Sequence, residues 1–202
     1  MKIKVNYHSS ILIDDRIYFD PLKVDGKTKA KYIFITHPHW DHFSPEDIKK
    51  IADNDTKFVC PESMKEEYCK NFKNDAMFVV PEKTYKLDDI DFETFSSYNL
   101  NKNFHPKENN WVGYIVKING KRIAVVGDSD VTSDLRKIKT DILILPIGGY
   151  YTMTLSEAAE ATNAIKPQKV IPTHYGEVVG NKDMGKEFKL LLDKNIECEL
   201  QI

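Results

Sequence analysis

The 202-residue sequence predicts an α/β protein in which two β-sheets stack with helices on their outer faces, a four-layer αββα sandwich. Two observations lead to this fold class. Both halves of the chain open with short, hairpin-like strands and close with strands that alternate with helices. The residues best suited to hold a metal ion fall just after predicted strands, where a layered fold collects side chains at a sheet edge. No residue-level repeat relates the halves, and no low-complexity segment or linker separates them, so a single domain over 1–202 is expected.

The elements follow from local pattern. Lys2–Val5, Ile11–Asp14 and Ile17–Phe19 are short and β-rich, with Asp14-Asp15 as a turn between the last two. Asp20-Pro21 closes this group. The apolar, β-branched run Tyr32–Thr36 reads as a buried strand. Ser44-Pro45-Glu46-Asp47 is a helix start, with Ser as N-cap, Pro at the first helical position and acids in the first turn; the helix should run through Ile51. A strand at Lys57–Cys60 and a short helix over Glu62–Lys70 follow.

The second half is strand-rich again: Met77–Val80, Thr84–Leu87, Phe92–Ser96 and Gly113–Ile118. Asn119-Gly120 between two apolar runs is a strong hairpin signal, and Lys121–Val126 is the returning strand. A short helix near Ser133–Lys137 and a fully apolar strand at Asp141–Leu145 come next. Thr154-Leu155-Ser156-Glu157 is a capping-box pattern opening a helix to about Ala164. A strand at Lys169–Ile171, a helix at Met184–Asp193 and a strand at Glu197–Ile202 complete the chain.

Composition narrows the function. A hydrophobic fraction of 41% and a charged fraction of 30% describe an ordinary globular protein, and a net charge of -2 supplies no overall basic field for nucleic acid or anionic membrane. The three cysteines form no Cys-x-x-Cys pair, which argues against a disulfide framework or a cysteine zinc site. The N-terminus lacks the apolar stretch of a signal peptide, and no segment reads as a bilayer span. A cytoplasmic protein acting on a small molecule is expected.

The chemistry is concentrated in His37-Pro38-His39-Trp40-Asp41-His42, which holds three of the six histidines. Imidazole nitrogen and carboxylate oxygen suit zinc, iron or manganese. Alternate residues of an extended segment share a side, so His37 and His39 can grip one ion as a pair. Asp41 and His42, after a turn, could hold a second. Asp128 and His174 also follow predicted strands and are candidate ligands. His8, in Asn6-Tyr7-His8-Ser9-Ser10, is a candidate for supporting a ligand or facing substrate. Gly148-Gly149-Tyr150-Tyr151-Thr152 could line the mouth of the site, Tyr175 beside His174 could donate a hydrogen bond, and Lys102, Lys107 and Trp111 could meet an anionic or apolar group.

The strings THPHWDH, VVGDSD and IPTHYG resemble, in order and spacing, the metal motifs of the metallo-β-lactamase-fold superfamily. The phrases SSYNLNKNFHPK, WVGYIVKINGKRIAVVGDSD and LPIGGYYTMTLSEAAEA resemble its small branch near ascorbate-6-phosphate lactonase and N-acyl-phosphatidylethanolamine phospholipase D. The resemblance implies two divalent ions, Zn2+ first with Mn2+ or Fe2+ as alternatives. It places His37 and His39 on the first metal, Asp41, His42 and His174 on the second, and Asp128 between them. Family members carry a third histidine for the first metal at the end of a mid-chain strand, where this chain reads Ser96-Ser97-Tyr98-Asn99. His105, six residues on, is the preferred replacement. Asn99 is the alternative, either binding through its amide oxygen or orienting a neighbouring ligand. β-Lactamases of the common dinuclear type have cysteine at the position of Asp128, so β-lactam hydrolysis is not the expected activity. Flavodiiron-type oxygen reductases are disfavoured by His39 and by the lack of chain for a flavin domain.

The implied reaction is hydrolysis of a small ester, lactone or phosphodiester by metal-activated water, with Asp41 and Asp128 as the catalytic carboxylates. A metal-binding sensor without turnover and a nucleotide or nucleic-acid phosphodiesterase remain as alternatives.

Overall fold

A computed structural model describes residues 1–202. The chain forms two compact units, Met1–Val80 and Pro81–Ile202.

The first unit is a six-stranded sheet in the order β1-β2-β3-β4-β5-β6, with β1 at Ile3–Tyr7, β2 at Ser10–Ile13, β3 at Ile17–Phe19, β4 at Tyr32–Phe34, β5 at Lys57–Pro61 and β6 at Ala76–Val79. The first three strands are antiparallel neighbours and the last three join in parallel. Asp14 and Asp15 both have positive φ, 48° and 51°, the backbone of a tight hairpin turn. The parallel steps from β4 to β5 and from β5 to β6 cross over through helices, whereas β3 and β4 are joined by the helix-free segment 20–31. Helix α1 spans Pro45–Ile51, with Ser44 accepting from the Asp47 amide at 3.3 Å. Helix α2 spans Lys65–Asn71 and follows a 3-10 turn at Glu62–Met64, so the expected single helix starts in the tighter form. Ile33, Ile35, Phe58 and Cys60 meet Ile48, Ile51, Tyr68 and Phe72 in one buried cluster. Burying each such large apolar side chain is worth about 1.5–3 kcal/mol.

Strand β4 is shorter than the apolar run predicts, for a physical reason. Ile35 still donates to Val59 of β5, at 2.9 Å, but the Thr36 amide donates to the Asp20 carboxylate at 2.8 Å instead of to a neighbouring strand. The ladder stops where a side chain takes over the hydrogen bond.

The second unit is a seven-stranded sheet in the order β13-β12-β11-β10-β9-β8-β7. Its strands are β7 Thr84–Leu87, β8 Ile90–Ser96, β9 Val112–Ile118, β10 Lys121–Val125, β11 Ile142–Pro146, β12 Lys169–Thr173 and β13 Glu197–Cys198. Strands β7 to β10 form an antiparallel meander, and β10 to β13 are parallel. Asn119 and Gly120 have φ of 50° and 75°, as the hairpin signal requires. Helix α3, Leu155–Ile165, carries the predicted capping box, with Thr154 and Glu157 exchanging hydrogen bonds of 3.3 and 2.7 Å. Helix α4 spans Met184–Leu190. Their buried faces, Ala158, Ala159 and Phe188, pack with Ala124, Leu143, Leu145 and Val170.

Two expected elements shrink. The helix near Ser133–Lys137 is a 3-10 turn at Leu135–Lys137, because Ile138 is already extended, with φ -63° and ψ 149°. The last strand pairs only at Glu197–Cys198, where Lys169 of β12 holds Glu197 at 2.9 Å and Glu199 at 2.7 Å. No helix is long and apolar enough to cross a membrane.

Gly113 of β9 lies beneath the Phe95 ring, and a Cβ there would stand 2.2 Å from Phe95 Cζ. Phe95 is itself part of the buried cluster and has little room to retreat. Gly113→Ala is therefore expected to destabilise the protein by about 1–3 kcal/mol, the usual range for overpacking, read as a lower midpoint in denaturant titration.

Candidate metal centre

In the first unit, the loop after β4 carries His37, His39, Asp41 and His42. Its turn is closed by the His42 and Phe43 amides, which donate to the His39 carbonyl at 2.9 and 2.7 Å. The turn folds Asp41 and His42 back beside His37, with the rings of His37 and His42 4.0 Å apart and those of His37 and His39 4.7 Å apart. His42 Nε2 lies 3.8 Å from Asp41 Oδ2. The buried His8, at φ 53° after β1, brings its Nε2 to 3.3 Å from the same Asp41 oxygen.

Asp20 organises this group, and the sequence reading gave it no role. It is buried at the end of β3, with φ 45°. Its Oδ2 accepts from the Thr36 hydroxyl at 2.6 Å and from His42 Nδ1 at 2.7 Å, and Thr36 Oγ1 lies 3.0 Å from His37 Nδ1. Because the Thr36 proton is committed to Asp20, its oxygen must accept from His37. The chain of donors therefore assigns the proton to Nδ1 in both His37 and His42 and leaves Nε2 as the basic nitrogen in each. Burial pushes the Asp20 carboxyl above its ordinary range, while His42 and the two Thr36 donors pull it back. A carboxylate following the fully buried strand Ile17–Phe19 was the one sequence signal that could have exposed this role.

In the second unit, three ligand candidates meet. Asp128 follows β10, His174 follows β12, and His105 lies in the loop between β8 and β9. Asp128 Oδ2 is 3.3 Å from His105 Nε2 and 3.0 Å from His174 Nε2, and all three residues are buried. His174 has φ 57°, a conformation that costs a non-glycine residue about 1–3 kcal/mol and is kept where the surroundings demand it.

Asn99 holds His105. Its Oδ1 accepts from the His105 backbone amide at 3.1 Å and from His105 Nδ1 at 2.9 Å, while its Nδ2 donates to the Tyr151 carbonyl at 3.0 Å. The donor contact fixes which way the amide points, and an amide oxygen only accepts, so Nδ1 of His105 carries the proton and Nε2 is basic. The Asn99 oxygen is thus occupied in orienting a histidine. The Trp111 ring flanks His105 edge-on, with centroids 5.6 Å apart.

Tyr175 is a correction. It was expected to offer a hydrogen bond beside His174, but its ring is fully buried in the cluster under α4, with its hydroxyl where a Cβ on Gly185 would come within 2.4 Å. The left-handed backbone at His174 sends the next side chain into the core. Lys102 and Lys107 are also engaged, Lys102 in an ion pair with Asp130 and Lys107 over the Tyr98 ring at 4.7 Å.

Each unit thus ends several strands in imidazoles and carboxylates with basic nitrogens turned to a common side. Such a donor set fits a divalent cation. The basic Nε2 of His105 lies within 3.3 Å of a carboxylate oxygen that His174 Nε2 also approaches, an arrangement that a positive charge among them would satisfy, and the nitrogen–oxygen donors contain no thiolate.

These features define the class as metal-dependent hydrolases built on two sheets with helices. Residues 2–174 match the beta-lactamase superfamily domain, and the chain belongs to that superfamily. A UPF0173 metal-dependent hydrolase of Pyrococcus furiosus is 30% identical over 174 residues, covering 82% of this chain and 76% of that protein. Among solved structures, a protein of Parabacteroides distasonis provisionally described as a metal-dependent hydrolase superimposes with TM-score 0.85 at 28% identity, over 98% of this chain and 91% of its own. Igni18, a metallo hydrolase of Ignicoccus hospitalis, shares the fold, with TM-score 0.77 at 20% identity over 98% of this chain and 93% of its own. The fold class is therefore the one expected from the sequence.

Asp20→Asn keeps the shape of the side chain and a residue type that tolerates positive φ, but it removes the charge that holds His42 and, through Thr36, His37. The protein should stay folded by circular dichroism while its metal affinity falls about 10–100-fold, the usual effect of removing such a partner, measured by competition with a chromophoric chelator.

Proposed function

We propose that the two units are halves of one hydrolytic domain and that their ligands complete a dinuclear metal centre. His37, His39 and His105 take one ion, Asp41, His42 and His174 take the other, and Asp128 is shared. The two sets, His37–His39–His105 and Asp41–His42–Asp128–His174, each have the donor number and type that suit a divalent ion, zinc foremost and manganese or iron next. Asn99 is the residue that orients His105.

The observation that carries the reading is the assignment of basic Nε2 atoms at His37, His42 and His105 by buried partners at Nδ1. Support by such outer partners is the usual companion of metal-ligating histidine. Bound divalent ions would supply Lewis acidity, lowering the pKa of water toward about 7 and polarising a carbonyl or phosphoryl oxygen.

The chain's own residues do the rest. Asp41, with His8 at 3.3 Å, is placed to orient the attacking water, take its proton and pass it to the leaving group. Asp128 draws His105 and His174 together. The hydroxyls that flank Asn99 and Asp128 are otherwise engaged: Ser97 donates to the Val126 carbonyl at 2.7 Å and Ser129 to the Asp130 carbonyl at 2.8 Å. The Cys60 thiol lies in the core of the first unit, where burial pushes its pKa up and keeps it protonated. Water is the nucleophile in this reading. The substrate class proposed is a small ester, lactone or phosphodiester.

Two measurements test this reading. Asp41→Ala should lower turnover by at least about 10²–10⁴-fold, the scale of acid–base assistance alone, with thermal unfolding unchanged; wild-type turnover in this variant would sink the role. Metal analysis should find two ions in the wild type and a content falling toward one in His105→Ala. Asn99→Ala should keep both ions but bind them more weakly, and the opposite pattern would give the ligand role to Asn99.

A further inference from the structure

The loop after β11, Gly148–Thr152, is tied to every ligand-bearing segment of the second unit. Gly148 presses on His174, so closely that a Cβ would stand 2.1 Å from the His174 carbonyl oxygen. Met153 donates to the carbonyl of Ser129, next to Asp128, at 2.9 Å. Asn99 joins the Tyr151 carbonyl to the His105 ring through its two amide atoms. The loop is closed on itself by Gly149, at φ 87°, whose amide donates to Met153 at 3.2 Å and whose carbonyl accepts from Thr152 at 3.0 Å. It is held by residues that carry, orient or adjoin the candidate ligands.

This rigid base displays aromatic rings rather than burying them. Tyr151 stands edge-on to both Tyr150 and Phe104, with centroids 4.8 and 4.7 Å away, and Phe104 and Tyr150 are 5.7 Å apart. Tyr150 is 70% exposed and Phe104 38% exposed, and Phe104 directly precedes His105. A contiguous exposed aromatic patch on an anchored backbone is a recognition surface by default. Its charge character is also set. Lys102 is engaged by Asp130, and Lys107 lies over Tyr98 and 3.8 Å from Asp134. With those two loop lysines paired to acids, the platform itself offers ring faces and edges, which suit a neutral flat group.

We propose that Phe104, Tyr150 and Tyr151 form the specificity platform of this protein and take a neutral aromatic group of the substrate, with the bond to be cleaved toward His105, Asp128 and His174. The inference rests on the hydrolytic reading above for its substrate, and it narrows that reading to substrates bearing an aryl group next to the scissile bond.

The test compares phenylphosphonate with methylphosphonate, which share the metal-seeking head and differ in the group offered to the rings. By calorimetry on metal-loaded protein, phenylphosphonate should bind about tenfold more tightly, the upper range for an added aromatic contact. In Tyr150→Ala the advantage should fall, and in the double variant Phe104→Ala/Tyr150→Ala it should vanish, with methylphosphonate affinity unchanged; both side chains are exposed, so the fold should be unaffected. Equal affinities in the wild type, an advantage that survives in the double variant, or binding of neither probe would each overturn the platform. A protein that keeps the phenyl preference but hydrolyses no ester, lactone or phosphodiester would lose the hydrolytic reading and keep the platform. One that hydrolyses alkyl and aryl esters equally, with equal phosphonate affinities, would do the reverse.

Discussion

The hydrogen bond from His42 to Asp20, 2.7 Å long and fully buried, is the interaction on which the first unit's chemistry depends. It stops β4 by drawing in the Thr36 amide, it orders the Thr36 hydroxyl, and through that hydroxyl it reaches His37. A buried carboxylate is costly unless its oxygens are satisfied, and here three donors satisfy it. The same contacts that offset its burial settle the tautomers of two histidines. Fold and candidate site are therefore not separable at this point: the residue that ends the strand also aims the candidate ligands.

The second unit solves the equivalent problem with an amide. Asn99 has one accepting and one donating atom, and both are used, the first on His105 and the second on the loop after β11. A neutral partner orients the ring without adding a charge beside Asp128. The difference follows from surroundings. Asp20 sits among hydroxyl and imidazole donors, whereas Asn99 bridges a ring nitrogen and a backbone carbonyl, which needs an acceptor and a donor in one side chain.

Strained backbone recurs among the buried residues of the two clusters. His8, Asp20 and His174 all hold positive φ while buried. None is glycine, so each conformation carries a cost that the neighbouring strands must offset. At His174 the consequence is visible next door, because the turn that frees the imidazole drives Tyr175 into the core beneath α4.

Much of this was legible in one dimension. Apolar runs bounded by Gly, Pro and Asp placed the strands to within a residue or two, the last strand excepted, and caps placed α1 and α3, because both depend on neighbours in sequence. The candidate ligands were legible because a metal site needs residue types that are rare in such density. What the sequence could not carry were the contacts between residues far apart in the chain. Asp20 reaches His42 across 22 positions and Asn99 reaches Tyr151 across 52. A lone aspartate or asparagine has no local pattern that reports such a partner, and Tyr175 looked like a site residue only because it follows one. The sequence by itself determined the element order and the candidate donors. Only the tertiary structure decided which nitrogen of His37, His42 and His105 is basic, since a tautomer is chosen by whatever group the fold brings to the other side of the ring.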